Sequence, residues 1–386
     1  MSPLDEAIIA NDMLPERERK TNIDLAEEFN TSEATVRRHR RALKRKSRDE
    51  LSRDEFFDLP VGSITKRGKT VRLADGSYEK IEYRPGTLEM EEAKRLSYED
   101  LEPVFREPLL PRVSANVEDD TLIVCMADYQ LGKTGQGGGT EDTVRLVRRA
   151  IKDIADDILF RGPYNRIILA DVGDSTEGFW NVASQAQTND LSLTDQIRTV
   201  QRLYAEAVHT LAPLCGSMYY VAVPSNHCAV RTGIGKNSRA NAPDDDFGIM
   251  ISHNIEDIIA DRPGFEHVKF FRPEKWEEAV TVEAADGTRI GFTHGHLAGS
   301  QSKVPGWFRD LAFGRRSGLY DARILVHGHW HNFGVRQVGD SRWIISCPSA
   351  DRGSDWWTNI SGDSTKPAIL TFEAQSGNAS AWELYS

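Results

Sequence analysis

Between Ile324 and His331 the chain reads Ile-Leu-Val-His-Gly-His-Trp-His, with three imidazoles in five residues. The apolar run Ile324, Leu325, Val326 reads as a buried strand, and the histidines fall where it ends. Gly328 is expected to let the backbone turn sharply. His329 and His331 could then aim ring nitrogens into one space, as ligands of a metal ion must. A surface histidine cluster is the other reading of this segment taken alone. Four further strand ends carry side chains of the same kind: Asp128-Tyr129-Gln130, then Asp171-Val172-Gly173-Asp174-Ser175-Thr176-Glu177, then Pro224-Ser225-Asn226-His227-Cys228, and His294-Gly295-His296 behind Ile290 and Phe292. One aspartate after a strand is usually a helix cap. Five such clusters in series, each donating oxygen or imidazole nitrogen, are hard to explain as caps.

The elements that would position them alternate. Thr121–Ala127 reads as a buried strand, Thr143–Leu159 as an amphipathic helix, Arg166–Ala170 as a strand, Leu191–Leu211 as a helix, Met218–Val223 as a strand and Asp245–Ile259 as a helix. Hairpin strands follow at Val280–Glu283 and Arg289–Thr293 around Asp286-Gly287. Three strands come last, at Arg342–Ser346, Ala368–Phe372 and Ala381–Leu384. The fold class is α/β early and β-rich late, with the polar clusters just past strand C-termini, where open α/β sheets build sites.

In this order and spacing the clusters resemble the calcineurin-like metallophosphoesterase family, over roughly residues 120–350. The family pattern is DxH, GDxxD/E, GNHD/E, a lone histidine after a strand, and GHxH. The resemblance implies a sandwich of two β-sheets flanked by helices, with a two-metal site at the strand ends. It places Asp128, Gln130 and His331 on one metal and Asn226, His294 and His329 on the other, with Asp174 bridging. His227 would be the unligated catalytic histidine beside the scissile phosphate, with Arg231 and His296 as substrate-binding residues. Mn²⁺ is the expected metal, with Fe²⁺, Zn²⁺ or Mg²⁺ as alternatives. The chemistry is coherent: two divalent ions ~3.5–4 Å apart clamp a phosphate and lower the pKa of a bridging water. Carboxylates suit the bridge, imidazoles the outer positions. Three residues depart from the pattern. Gln130 stands where the family has histidine and offers a weaker, harder oxygen ligand, which favours Mn²⁺ over Zn²⁺. Ser225 replaces a glycine, which is tolerated if the turn needs no left-handed residue. Cys228 replaces the acid that would orient His227, leaving Glu177 or Asp171 to do so.

The N-terminal region points elsewhere. Asn22 is expected to cap a short helix with Ile23, Leu25, Ala26 and Phe29 on its apolar face. Asn30 suits a left-handed turn, and Thr31 or Ser32 would cap a second helix with Ala34, Val36 and Leu43 turned inward. This resembles a helix-turn-helix. From Ala34 to Arg48 there are basic residues and no acid, including the expected DNA contacts Arg37, Arg38, Arg40 and Arg41. Such a face suits phosphates and guanine edges. A solvated basic helix or a protein-docking module is the alternative. The domain reading is a helix-turn-helix over residues 1–48, a connector over 49–118 and the phosphoesterase domain over 119–386. The connector carries a hairpin signal, Thr70–Tyr83 around Asp75-Gly76, a short helix at Glu89–Arg95, and Pro103, Pro108 and Pro111 as linker marks.

The totals set bounds. A net charge of −11 makes the chain as a whole a poor nucleic-acid binder, so DNA contact must come from local basic patches. Four cysteines, Cys125, Cys215, Cys228 and Cys347, show no CxxC spacing, which argues against a disulfide framework and fits a reducing cytosol. No apolar run reaches membrane-spanning length, and the N-terminus lacks a secretory apolar region. A cytoplasmic protein of a bacterial or phage-infected cell is expected, with DNA as partner and no membrane; a homodimer or an ATPase partner stays open. Basic and aromatic residues near the clusters favour a nucleic-acid substrate: Arg231, Lys236, Arg239, Lys303, Trp307, Phe308, Arg309, Arg315, Arg316, Trp356 and Trp357. Core packing is the alternative for the aromatics. The expected function is a metal-dependent DNA nuclease of the SbcD-like repair type. The alternatives are a cyclic-nucleotide or small-substrate phosphodiesterase or phosphatase, and a DNA-binding regulator with an inactive metal domain.

Overall fold

A computed structural model describes residues 3–12, 19–40, 104–105, 109, 120–135, 137–180, 188–232, 239–314, 318–339, 341–351 and 366–386, and the backbone of 67–72 and 78–83. The chain divides into two compact units, Met1–Lys94 and Arg95–Ser386.

The first unit holds three helical stretches: α1 (Pro3–Asp12), α2 (Asn22–Glu28) and α3 (33–40). Ile8, Leu25, Ala26 and Val36 form its small core, and His39 reaches Asp5 at 2.7 Å. Thr21, not Asn22, caps α2: its hydroxyl accepts from Asp24 N–H while the Asp24 carboxylate accepts from Thr21 N–H, a reciprocal box. Ile23, expected on the apolar face, is exposed, because the turn of α2 that reaches the core carries Leu25 and Ala26. Ala34 is exposed too, while Val36 is fully buried. Asn30 is left-handed at φ 45°, and Ser32 accepts from Thr35 N–H, both as the sequence suggests. Arg37 and Arg38 are exposed and Arg40 is half-buried; Arg41 and Leu43 lie outside the described residues. Strands β1 (Arg67–Arg72) and β2 (Tyr78–Tyr83) pair antiparallel, Arg72 opposite Tyr78. The expected helix at Glu89–Arg95 and the three prolines lie outside the described residues.

The second unit is a four-layer sandwich of helices, sheet, sheet and helix. Strands β3 (Thr121–Met126), β4 (Tyr164–Asp171), β5 (Cys215–Ala222) and β8 (Val268–Phe271) run parallel. The antiparallel β14 (Ile369–Gln375) and β15 (Asn378–Tyr385) extend that sheet to the order β15-β14-β3-β4-β5-β8. In the other sheet, β10 (Arg289–Thr293), β11 (Ile324–His327) and β13 (Arg342–Ser346) are parallel. The antiparallel edges β9 (Ala279–Glu283) and β12 (Gly334–Val338) flank them. A short ribbon, β6 (Arg231–Thr232) with β7 (Arg239–Ala240), stands apart.

The central strands are covered on both faces, so β3 and β11 read as unbroken apolar runs with period-two sorting beneath, while the edge strand β12 is largely exposed. In β3, Leu122, Val124 and Met126 turn toward the helices, while Ile123 and Cys125 turn toward the second sheet, where Phe292, Val326 and Ile345 meet them. Helices α4 (Thr140–Arg161), α5 (Leu193–Leu211) and α6 (Phe247–Ile259) cover the outer face of the first sheet. In α4 the buried residues Val147, Ala150, Ile151, Ile154 and Ile158 recur at helical spacing. Helix α7 (Val304–Gly314) covers the second sheet, packing Val304 and Phe308 on Leu325 and Ile344. The two-sheet sandwich flanked by helices is therefore as expected. Phe308, expected to stack on bases, is core at 1% exposure, and Trp307 packs partly against the same cluster. Among the described residues, no helix is long and apolar enough to cross a membrane.

Candidate metal centre at the strand ends

The parallel strands of the two mixed sheets bring their C-termini to one edge. From the first come Asp128 after β3, Asp174 after β4, and Asn226 with His227 after β5. From the second come His294 after β10, then His329 and His331 after β11. The predicted clusters thus share one end of the sandwich, as the strand-end rule requires.

The centre is His294. It is fully buried, and its Nδ1 faces the Val172 carbonyl at 2.9 Å, which leaves Nε2 for the site. Around that Nε2 stand Asp174 Oδ2 at 2.9 Å, Asn226 Oδ1 at 3.0 Å and His329 Nδ1 at 3.2 Å. Ligands held at about 2.1 Å on adjacent positions of a cation lie about 3 Å from one another, so these separations are those of a ligand shell. The ligand atoms of Asp174, His294 and His329 all fall within 4.8 Å of one another. Four ligand atoms crowded together suit a positive centre, and without a cation the His294 imidazole takes that part beside Asp174. Burial would depress His294, but the Asp174 carboxylate outweighs it and holds His294 up at about 9. His329 is pushed down to about 4 by burial and by the charge on His294. Asp174 sits well below the usual carboxylate range, since His294 and His227 outweigh the upward push of its burial. The residues fit a divalent cation.

Asp128, Gln130 and His331 lie alongside and are arranged differently. Both Asp128 oxygens accept from the His329 N–H, at 3.1 and 3.0 Å, and Asp128 Oδ1 is 3.4 Å from His331 Nε2. Gln130 Oε1 accepts from Lys133 Nζ at 2.7 Å, and the same ammonium pairs with Asp351 Oδ2 at 2.6 Å. Asp351 in turn lies 4.0 Å from His331 Nδ1.

His227 is anchored through both ring nitrogens. Its Nδ1 donates to the Glu177 carbonyl at 2.7 Å, with the Glu177 carboxylate at 3.3 Å; its Nε2 lies 4.0 Å from Asp174 Oδ2. Burial would lower it, but Asp174 and Glu177 together raise it to about 9. Glu177 therefore supplies the orientation that Cys228 cannot; Asp171 instead accepts from Gly173 N–H, two residues on. The buried Cys228 thiol, pushed up to about 12 by burial, packs against Ser175 and Thr176 at 3.4 and 3.3 Å. Ser225 does more than substitute for glycine. It has no positive φ, and its hydroxyl accepts the Asp174 N–H at 2.8 Å.

Arg231 donates to the Asn226 carbonyl at 3.1 Å, beside the site. His296 lies near, its ring tilted 5.5 Å from that of His294 and edge-on 6.1 Å from that of His329. Burial and the His294 charge push it down to about 3, so it is neutral. His327, the third imidazole of the His327–His331 cluster, is buried beneath the strand end with Nδ1 3.0 Å from the Gly328 carbonyl. Arg309 is exposed beside Asp310. Lys236, Arg315, Arg316, Trp356 and Trp357 lie outside the described residues, as does the Arg239 side chain.

Three features escape a sequence reading. Asp128, Gln130, Asp174, His329 and His331 all adopt positive φ, between 42° and 70°. Left-handed backbone is unfavourable for such residues and gathers where function over-determines it. Gly328 is required for room rather than for a turn: it has no positive φ, and a Cβ there would stand 2.5 Å from Asp128 Oδ2. The third is the pair Lys133 and Asp351, which no family motif contains. Asp351 does carry a signal: it follows β13, a parallel neighbour of β11, and so obeys the strand-end rule that finds the others.

No family model matches the sequence, and no curated protein matches it. Several solved structures are similar at a distance. A predicted phosphoesterase from Streptococcus pneumoniae aligns over 67% of this chain and 86% of its own, at 13% identity and a TM-score of 0.28. Wild-type Vps29 from Entamoeba histolytica, complexed with zinc, aligns over 69% of this chain and 99% of its own, at 13% identity and a TM-score of 0.28. A purple acid phosphatase from yellow lupin seeds aligns over 79% of this chain and 54% of its own, at 10% identity and a TM-score of 0.31. At such TM-scores nothing about this chain follows from them, and what the centre can do follows from its own atoms.

Proposed function

We propose that the chain is a divalent-metal-dependent phosphoesterase acting on phosphodiesters of DNA. The observation that supports it most is the convergence of Asp174, Asn226 and His329 on Nε2 of His294. A cation held by those four would neutralise phosphate oxygens and lower the pKa of a bound water. The mixed oxygen and imidazole donors suit Mn²⁺. The remaining work belongs to the chain. His227, oriented by Glu177, donates a proton to the leaving oxygen. Arg231, steadied by the Asn226 carbonyl, offers its guanidinium to a non-bridging oxygen. Neutral His296 offers one hydrogen bond beside the reacting phosphate. The strand-end motifs, similar to those of calcineurin-like metallophosphoesterases, support the same chemistry.

The DNA substrate, and the SbcD-like nuclease within that, rest on the first unit. Its α2, left-handed Asn30 and Ser32-capped α3 follow the helix-turn-helix order, with Arg37 and Arg38 exposed. A DNA-binding module joined to a phosphodiesterase centre delivers it to its substrate.

Hydrolysis of linear single- and double-stranded DNA, with bis-p-nitrophenyl phosphate alongside, in Mn²⁺ and in EDTA, tests the reading. The expected result is Mn²⁺-dependent DNA degradation, lost in Asp174→Asn with duplex binding retained. Cleavage of the small ester alone would move the substrate to nucleotides or phosphoproteins. A folded, metal-loaded protein that cleaves nothing would refute the enzyme and leave a DNA-binding regulator.

A further inference from the structure

Gln130, which a second metal would take as a ligand, already holds a positive charge. Lys133 lies in the loop after β3, and its side chain is only 13% exposed, with Asp351 at 4%. Lysine is rarely buried this far without partners, and its partners here are Gln130 Oε1 and Asp351 Oδ2 at 2.7 and 2.6 Å. The placement is built in. Lys133 N–H donates to the Gln130 carbonyl at 3.0 Å, and Gly132 N–H donates to the Thr140 hydroxyl at 2.9 Å. Gly132 has a φ of +108°, and a Cβ there would stand 2.3 Å from the Gln196 side chain, so this loop has one path.

We infer that Lys133 stands in for one of two metal ions: its ammonium, fixed by Gln130 and by the Asp351 carboxylate that also faces His331, supplies the positive charge on that side, and the centre binds a single divalent cation per chain.

Three observations carry this. The Gln130 amide oxygen, the one hard ligand that replaces the usual histidine, is spent on the ammonium. Gln130 and Lys133 are thus one device: an imidazole bound to metal through one ring nitrogen would offer Lys133 no acceptor at position 130, whereas an amide oxygen accepts its proton. Second, among the described residues the histidine, cysteine and acid ligand atoms close on one another in one group, Asp174, His294 and His329; Asp128 and His331 belong to no such group of three. Third, a dication and an ammonium competing for the same few oxygens in a dry site repel each other strongly. The chemical consequence concerns the substrate. An ammonium is a point charge with three donors. It can hold a phosphate oxygen, but it cannot share in activating water, so Lys133 binds and orients one side of the phosphate while the other side meets the cation.

The inference rests on the metal-dependent reading, and metal counting separates the two. The full chain is equilibrated with excess Mn²⁺ and dialysed against the same free metal; bound manganese is counted by mass spectrometry, and its electron paramagnetic resonance is recorded. The expected result is one Mn²⁺ per chain with a mononuclear spectrum, falling to none in Asp174→Asn and rising to two, exchange-coupled, in Lys133→Met. Two ions in the unaltered chain would overturn the inference and leave the metal reading standing. One ion in both the unaltered chain and a cooperatively melting Lys133→Met would also overturn it, since the ammonium would not be what excludes the second. If Lys133→Met does not fold, the count and spectrum of the unaltered chain decide. No bound ion would refute the metal reading itself.

Discussion

Replacing Gly328 by alanine tests why that residue is glycine. A Cβ there would stand 2.5 Å from Asp128 Oδ2 and 3.3 Å from the Val172 carbonyl. Asp128 cannot swing aside: it is fully buried, left-handed at φ 52°, and both its oxygens accept from the His329 N–H. Displacing it weakens a charged hydrogen bond, worth about 1.5–3 kcal/mol, and forces overpacking, which costs about 1–3 kcal/mol. A net loss of about 2.5–6 kcal/mol follows, at roughly 2 °C in Tm per kcal/mol, the lower end expected for a unit this long. The assay is thermal or urea unfolding of Gly328→Ala and Gly328→Asn beside the unaltered chain. If crowding is the reason, both variants lose stability together, because both add a Cβ. Were the reason a left-handed turn, asparagine would be far better tolerated than alanine. An unchanged Tm in Gly328→Ala, or a rescue by asparagine, would refute the reasoning.

Two other outcomes follow from the same geometry. Glu177→Gln keeps the carbonyl that accepts from His227 but removes the carboxylate 3.3 Å from its Nδ1. Hydrolysis should fall about tenfold or more, and its alkaline limb should move to lower pH, because Glu177 helps hold His227 above its ordinary value; an unmoved limb would mean that Glu177 does not act through His227. Substituting alanine for both Arg37 and Arg38, which are exposed on α3, should flatten the log–log salt dependence of duplex binding by about 2 units if each meets a phosphate. An unchanged slope would place the DNA surface elsewhere.

The sequence reveals the strand ends well and what lies between them poorly, for a physical reason. Strands buried on both faces announce themselves as apolar runs, as Thr121–Met126 and Ile324–His327 do, and the first polar residues after them fall at one edge of any parallel sheet. That is why the amino-acid order alone gathers Asp128, Asp174, Asn226, His294 and His329. The contact that changes the meaning of Gln130 is with Lys133, only three residues on, yet its partner Asp351 is 218 residues away, and no local pattern joins them. Periodicity also misplaces residues where an element is short. In α2, with its seven residues, one apolar position more or less decides the face, so the pattern turns Ile23 inward when it lies outside. Phe308 shows the converse: an aromatic near a site, flanked by arginine, reads as chemistry when its neighbours are Leu325 and Ile344.

The five left-handed residues at the centre set heat resistance against chemistry. Each of Asp128, Gln130, Asp174, His329 and His331 holds a conformation that costs a non-glycine residue roughly 1–2 kcal/mol and that glycine adopts freely. Glycine at any of them would relax the backbone and delete the working side chain in one step. A library of variants screened for survival on heating alone would therefore drift toward an empty centre, with the sandwich beneath it left intact.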